Sequence, residues 1–144
     1  MIHGDVSTFL QALGAREGDP RLEQALAFVG GEPETETFHD EQGESKYLIM
    51  PGRGVDFLLK DGVLDTVFIY AVESVEQGVY GGWSTLVDGV GADASTDDVV
   101  RVLGAPRRAT SGYACYQVDP GFVQFDFDDD RLTMAVVMRH DIGG

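Results

Sequence analysis

Cysteine occurs once in the 144 residues, as Cys115. A lone thiol closes no internal disulfide, so the fold must rest on its core. No apolar run approaches the roughly 20 residues that span a bilayer as a helix. The opening "MIHGDVSTFLQALG" lacks the basic and apolar regions of a secretory signal. These absences point to a soluble chain of the cytoplasm. Basic residues are also scarce, 10 against 25 acidic ones, for a net charge of −15 at pH 7. Such a field repels phosphate backbones and anionic lipid and steers basic partners inward, so neither nucleic acid nor a membrane is expected as a partner.

Catalytic groupings are missing too. His3, His39 and His140 lie far apart, and none sits near another metal ligand at a recognised spacing. Cys115 is central in a predicted strand, and no serine occupies a nucleophile-elbow sequence. "PGRG" and "DGVG" lack the lysine and the strand-to-helix setting of a phosphate loop, and read as turns. Asp126, Asp128 and Asp130 alternate as in a calcium loop. Arg131 then stands where that loop needs glycine, and Val137 where it needs a bidentate glutamate. The run reads as a turn. The expectation is no enzyme, no metal and no cofactor.

What the chain does have is an echo of itself. "KYLIMPGRGVDFLLKDGVLDTVFIYA" returns as "CYQVDPGFVQFDFDDDRLTMAVVMR". Tyr47, Pro51 and Gly52 meet Tyr116, Pro120 and Gly121 at a spacing of 69, and Val55, Phe57, Asp61 and Leu64 meet Val123, Phe125, Asp129 and Leu132 at 68. Upstream, "DPRLEQALAFVGGEP" matches "STDDVVRVLGAP", each a capped apolar helix ending in glycine and then proline. Asp19 caps the first, with Leu22, Ala25, Leu26 and Val29 on one face. Ser95 or Thr96 caps the second, with Val99, Val100, Val102 and Leu103 as its apolar side. A further helix around Asp5 to Leu13 precedes both.

The reading is a single α+β domain over 1–144. It is a tandem repeat of a short helix followed by a three-stranded antiparallel meander, plus the N-terminal helix. Repeat one covers 19–71, a connector 72–94 and repeat two 95–139. Asp61-Gly62 between apolar runs is a two-residue hairpin signal. It sets Leu59 opposite Leu64, Phe57 opposite Thr66 and Val55 opposite Phe68. Asp129-Asp130 likewise sets Phe127 opposite Leu132, Phe125 opposite Met134 and Val123 opposite Val136. The other sheet face would then mix Leu58, Val67 and Ile69 with carboxylates. The connector, through Val79, Tyr80, Trp83, Leu86 and Val87, is expected to lie across it.

The helix-plus-sheet repeat with its "VLGAP" helix end resembles the β-lactamase-inhibitor-protein and small-lipoprotein-A type. "VYGGWSTLVDGVGADASTDDVVRVLGAP" resembles small immunity proteins encoded beside polymorphic bacterial toxins. The resemblance implies a protein-binding module that occludes a cognate, basic toxin. Inhibition of a β-lactamase and outer-membrane assembly are not implied, because the disulfides and the lipidated cysteine of those families are absent. Asp126, Asp128, Asp129 and Asp130 form the candidate steering cluster, with Glu73, Glu76, Tyr80 and Trp83 from the connector as candidate partner contacts. Trp83 reads first as a plug over the core, and second as an exposed anchor. The alternative function is a small-ligand or regulatory domain, with a pocket between the repeats and the aromatic connector as its lid.

Overall fold

The computed structural model describes residues 2–74 and 77–141 of the chain. It is α+β, with helices on one side of an eight-stranded antiparallel sheet. α1 (Val6–Ala12) and α2 (Pro20–Val29) precede β1 (Glu34–Asp40), β2 (Gly43–Met50), β3 (Val55–Lys60) and β4 (Val63–Tyr70). After a connector holding the one-turn α3 (Trp83–Leu86) come α4 (Thr96–Leu103), β5 (Arg108–Ala109), β6 (Tyr113–Val118), β7 (Gly121–Asp128) and β8 (Arg131–Met138). The sheet runs β1-β2-β3-β4-β8-β7-β6-β5, so two sequential ladders meet where β4 pairs with β8.

Local chemistry sets the helix ends. The Asp19 side chain accepts from Arg21 N at 2.9 Å and Pro20 takes the first helical position, where its missing N–H costs nothing. Ser95 and Asp98 form a reciprocal capping box at α4, satisfying two otherwise orphaned donors. Of α4's expected apolar side only Val99 is fully buried, and Val100 and Val102 are exposed. Two turns resting on a sheet bury one narrow stripe, so the valines beyond it face water.

Four strands, not three, follow α2, and four follow α4. The polar stretch "ETETFHD" is β1, and β5 is a two-residue strand at the opposite edge. Gln42 N donates to Asp40 Oδ1 at 2.8 Å, an aspartate turn that closes the β1–β2 hairpin.

Both two-residue turns form as read: Asp61 (φ 50°) and Gly62 (φ 80°) in one, Asp129 (φ 51°) and Asp130 (φ 60°) in the other. Leu59 pairs with Leu64 and Phe127 with Leu132. Beyond them a β-bulge at Asp65, and another at Thr133, moves the register by one residue. Phe57 therefore pairs with Val67 rather than Thr66, and Val55 with Ile69 rather than Phe68. Phe125 pairs with Ala135 rather than Met134, and Val123 with Val137 rather than Val136. A one-residue shift exchanges faces. Val67, Ile69, Ala135 and Val137 join the core under the helices, while Phe68, Met134 and Val136 turn to the outer side.

The connector follows that exchange. Its Tyr80, Trp83, Leu86 and Val87 pack on the helix side, over the face that now holds Val67 and Ile69, rather than across the outer face as expected, and Val79 is exposed. Trp83 is 4% exposed and donates its indole N–H to Tyr70 O at 2.9 Å; Tyr80, Leu86 and Val87 are buried beside it. Gly54 (φ +76°) makes this approach feasible, since a Cβ there would lie 2.2 Å from Tyr80 N. Each large side chain fully buried in this core contributes about 1.5–3 kcal/mol.

Candidate functional site: the outer face of the sheet

Pairing fixes which side chains share the side away from the helices. One row across the strands reads Glu36, Tyr47, Leu58, Thr66, Met138, Phe122 and Gln117. The next reads Glu34, Ile49, Asp56, Phe68, Val136, Gln124, Cys115 and Arg108. A third holds Tyr70, Met134, Asp126 and Tyr113. Antiparallel sheets with one solvated face normally alternate apolar with polar residues. Here Cys115, Val136 and Met138 are buried by their own neighbours Phe68, Tyr113, Phe122 and Met134, in a cluster made only of strand residues.

At the β5–β6 end this face is closed by ion pairs. Arg108 pairs with Asp141, and its guanidinium lies 4.7 Å from the centre of the Tyr113 ring. Arg107 reaches the same carboxylate at 3.4 Å and lies 5.7 Å from the Phe122 ring centre. Cys115 is fully buried in the strand cluster, and that burial pushes its thiol above its ordinary pKa. Asp126 is half-buried in the middle of the face. Loss of solvation raises its carboxyl above the ordinary carboxylate range, against a 2.9 Å bond donated by Gln124 Nε2.

At the β1–β4 end the face opens into a cleft of about 460 Å3 lined by Glu36, Phe38, Ser45, Tyr47, Ile49, Asp56 and Tyr70. Phe38 stands edge-on to Tyr47 with ring centres 6.0 Å apart, and is 55% exposed. Asp56 accepts from Tyr70 Oη at 3.0 Å and from Gln77 Nε2 at 2.9 Å, so its carboxylate is held in place by two neutral donors. Gln77 is itself fixed: its Oε1 accepts from Gly54 N and Gly78 N, each at 3.0 Å, and its amide also donates to Met50 O at 3.1 Å.

The expected partner residues do not converge. Asp126 lies on the outer face, while Asp128 is exposed at the end of β7, opposite Arg131. Asp129 and Asp130 make the hairpin turn, where Asp130 Oδ1 also accepts from Thr96 N at 3.1 Å and so serves the start of α4. Glu73 is exposed on the connector, and Glu76 lies outside the described residues. Tyr80 and Trp83 are core residues; burial, then the nearby Asp5 charge, raises the Tyr80 pKa. A hollow of about 570 Å3 does lie where the two halves meet, lined by Ala71, Val72, Ala92, Asp93, Asp128, Arg131, Leu132 and Thr133. The connector ring is not its lid. Among the described residues no group of three or more His, Cys, Asp or Glu is placed to hold a metal ion. No helix among them is long and apolar enough to cross a membrane.

Sequence reading passed over Glu36, Phe38, Tyr47 and Tyr70. The available signal was the alternation in "ETETFHD", which puts Glu34, Glu36, Phe38 and Asp40 on one side and Thr35, Thr37 and His39 on the other. Comparison with protein-family models, with curated proteins and with solved structures finds no match to this chain.

Proposed function

We propose that the chain is a protein-binding module, most concretely an immunity protein that binds and occludes a basic bacterial toxin with the outer face of its sheet. The observation that carries this reading is that face: a strand-only apolar cluster beside half-buried Asp126 and an aromatic cleft holding Glu36 and Asp56. Aromatic and apolar centres supply affinity at protein interfaces, and surrounding charge supplies rate and specificity. The net charge of −15 suits a basic partner and works against nucleic acid. With Trp83 and Tyr80 in the core, the interface in this reading centres on the sheet, and Asp128, Asp129, Asp130 and Glu73 act at its margin as steering charges. The module acts in the cytoplasm and assigns no catalytic step to this chain.

We read the two halves as copies of one unit. The two bulges support this, falling at the same place in each hairpin, Asp65 and Thr133, 68 residues apart. The pairing of β2 and β6 limits the likeness. Tyr47, opposite Leu58, faces outward, whereas its sequence match Tyr116, opposite Val123, faces the core.

The test is co-expression with the product of the adjacent gene. Growth arrest by that product alone, relieved by this chain, is the expected result. A harmless product, or arrest that persists beside this chain, would overturn the toxin reading. With a purified partner, the association rate should fall steeply as salt rises while dissociation changes little. A salt-independent association rate would remove steering from the account.

A further inference from the structure

We infer that the cleft between β1 and β4 is a subsite for a guanidinium group, and that its occupant is an arginine side chain of the protein that docks on the sheet. The inference rests on the partner-binding reading above and deepens it.

The molecule supplies its own template for the chemistry. At the far end of the same face, Arg108 lies over the Tyr113 ring and pairs with Asp141, and Arg107 lies over Phe122 and shares that carboxylate. Ring face, guanidinium and carboxylate make a complete set there. The cleft presents the same rings and carboxylates, Phe38, Tyr47 and Tyr70 with Glu36 and Asp56. Among the described residues, neither Glu36 nor Asp56 is in an ion pair.

Three physical features select the ligand class. Two carboxylates without a cation give the cleft a local negative charge, inside a chain already at −15, which disfavours anionic and apolar occupants and a second acidic copy. Aromatic walls favour a cation that can lie flat on a ring, and guanidinium is planar and more weakly hydrated than ammonium. Asp56 is held by Tyr70 and Gln77, so an incoming fork meets an oriented acceptor and the site loses little freedom on binding.

Nuclear magnetic resonance of the full chain tests this without any partner protein. The probe is Nα-acetyl-arginine methylamide, with the lysine and norleucine analogues as comparators, each titrated into the 15N-labelled protein. Saturable amide shifts are expected around Glu36, Phe38, Tyr47, Asp56 and Tyr70, strongest for arginine, weaker for lysine and absent for norleucine. Glu36→Gln and Phe38→Ala, both on the exposed edge strand, should each weaken arginine binding by about two- to fivefold while leaving the rest of the spectrum unchanged. Equal shifts from norleucine would mark an apolar groove and overturn the inference. So would shifts located elsewhere, no saturable shift, or variants that bind as the parent does. Toxin relief without arginine binding would sink the subsite alone, and arginine binding without toxin relief would sink the toxin reading alone.

Discussion

Toward the helices, Val55, Phe57, Leu59, Leu64, Val67 and Ile69 of the β3–β4 hairpin correspond to Val123, Phe125, Phe127, Leu132, Ala135 and Val137 of the β7–β8 hairpin. Toward the other side, Asp56, Leu58, Thr66, Phe68 and Tyr70 correspond to Gln124, Asp126, Met134, Val136 and Met138. The inner positions are apolar in both, with Phe127 larger than Leu59 where Ala135 is smaller than Val67. At the outer positions no residue type recurs at its counterpart. A close-packed interior restricts its lining to apolar groups of matched volume. The outer face is packed only by its own strand residues, around Cys115, Val136 and Met138, and its two ends have diverged: one is closed by Arg107, Arg108 and Asp141, the other is open and lined by Glu36 and Asp56.

The largest effects should come from the inner positions, where the hairpins agree. Phe57 and Phe125 are both fully buried, so Phe57→Ala and Phe125→Ala should each cost about 3–5 kcal/mol, read from urea midpoints at a common slope. Comparable losses uphold the equivalence. A loss within about 0.5 kcal/mol at one site would break it.

A smaller effect belongs to one half only. Gln77 ties the Gly54 and Gly78 amides to the end of β3, whereas the second half closes the same end of its ladder with a two-residue turn between Val118 and Gly121. Gln77→Ala leaves the buried Gly54 N–H and the half-buried Gly78 N–H without their acceptor and should cost about 1–3 kcal/mol. Amide exchange should speed up at Gly54 and Gly78 and stay unchanged across β6 and β7. Uniform acceleration through both halves would show that this latch serves the whole sheet.

Helix caps should separate the halves less. Ser95→Ala removes one arm of a reciprocal box and Asp19→Ala a single accepting carboxylate; each is expected to cost about 1 kcal/mol in thermal or urea unfolding. A negligible change at Ser95 would mean that Asp130, which also accepts from Thr96 N, suffices to hold the start of α4.

How much of this was legible in the sequence depends on the period of the signal. Caps, glycine stops and two-residue turns are local, and Asp19, Ser95, Asp61-Gly62 and Asp129-Asp130 announce them directly. A bulge is a non-local decision made by the partner strand. Nothing in "VLDTVFIY" states that Asp65 is the unpaired residue, and the alternation can be carried inward from either phase. That one residue decides whether Val67 or Phe68 faces the helices, and with it which face the connector covers. The cleft was obscured because Glu36, Phe38, Tyr47 and Tyr70 come from three strands, and β1 is polar enough to read as a loop.

The subtlest contrast is between Leu58 and Asp126, which occupy corresponding outer positions 68 residues apart. Asp126 is half-buried, and desolvation raises its pKa above the ordinary 3.8, with the Gln124 bond opposing. The folded form therefore binds the proton more tightly than the unfolded chain. Between 3.8 and the raised value stability falls as pH rises, and above that window the ionised group leaves a standing penalty. Asp126→Asn keeps the acceptor for Gln124 and removes the charge, so the variant should be the more stable at neutral pH. Its advantage should shrink as pH drops through the window, and vanish below it. Other carboxylates, such as Asp98 with its pKa lowered by the Ser95 and Arg101 bonds, titrate alike in both proteins and cancel in the difference. Paired urea titrations across acidic to neutral pH give that difference directly. A pH-independent difference, or a variant less stable at neutral pH, would mean that the outer face solvates Asp126 as well as water does, and the contrast with Leu58 would lose its energetic content.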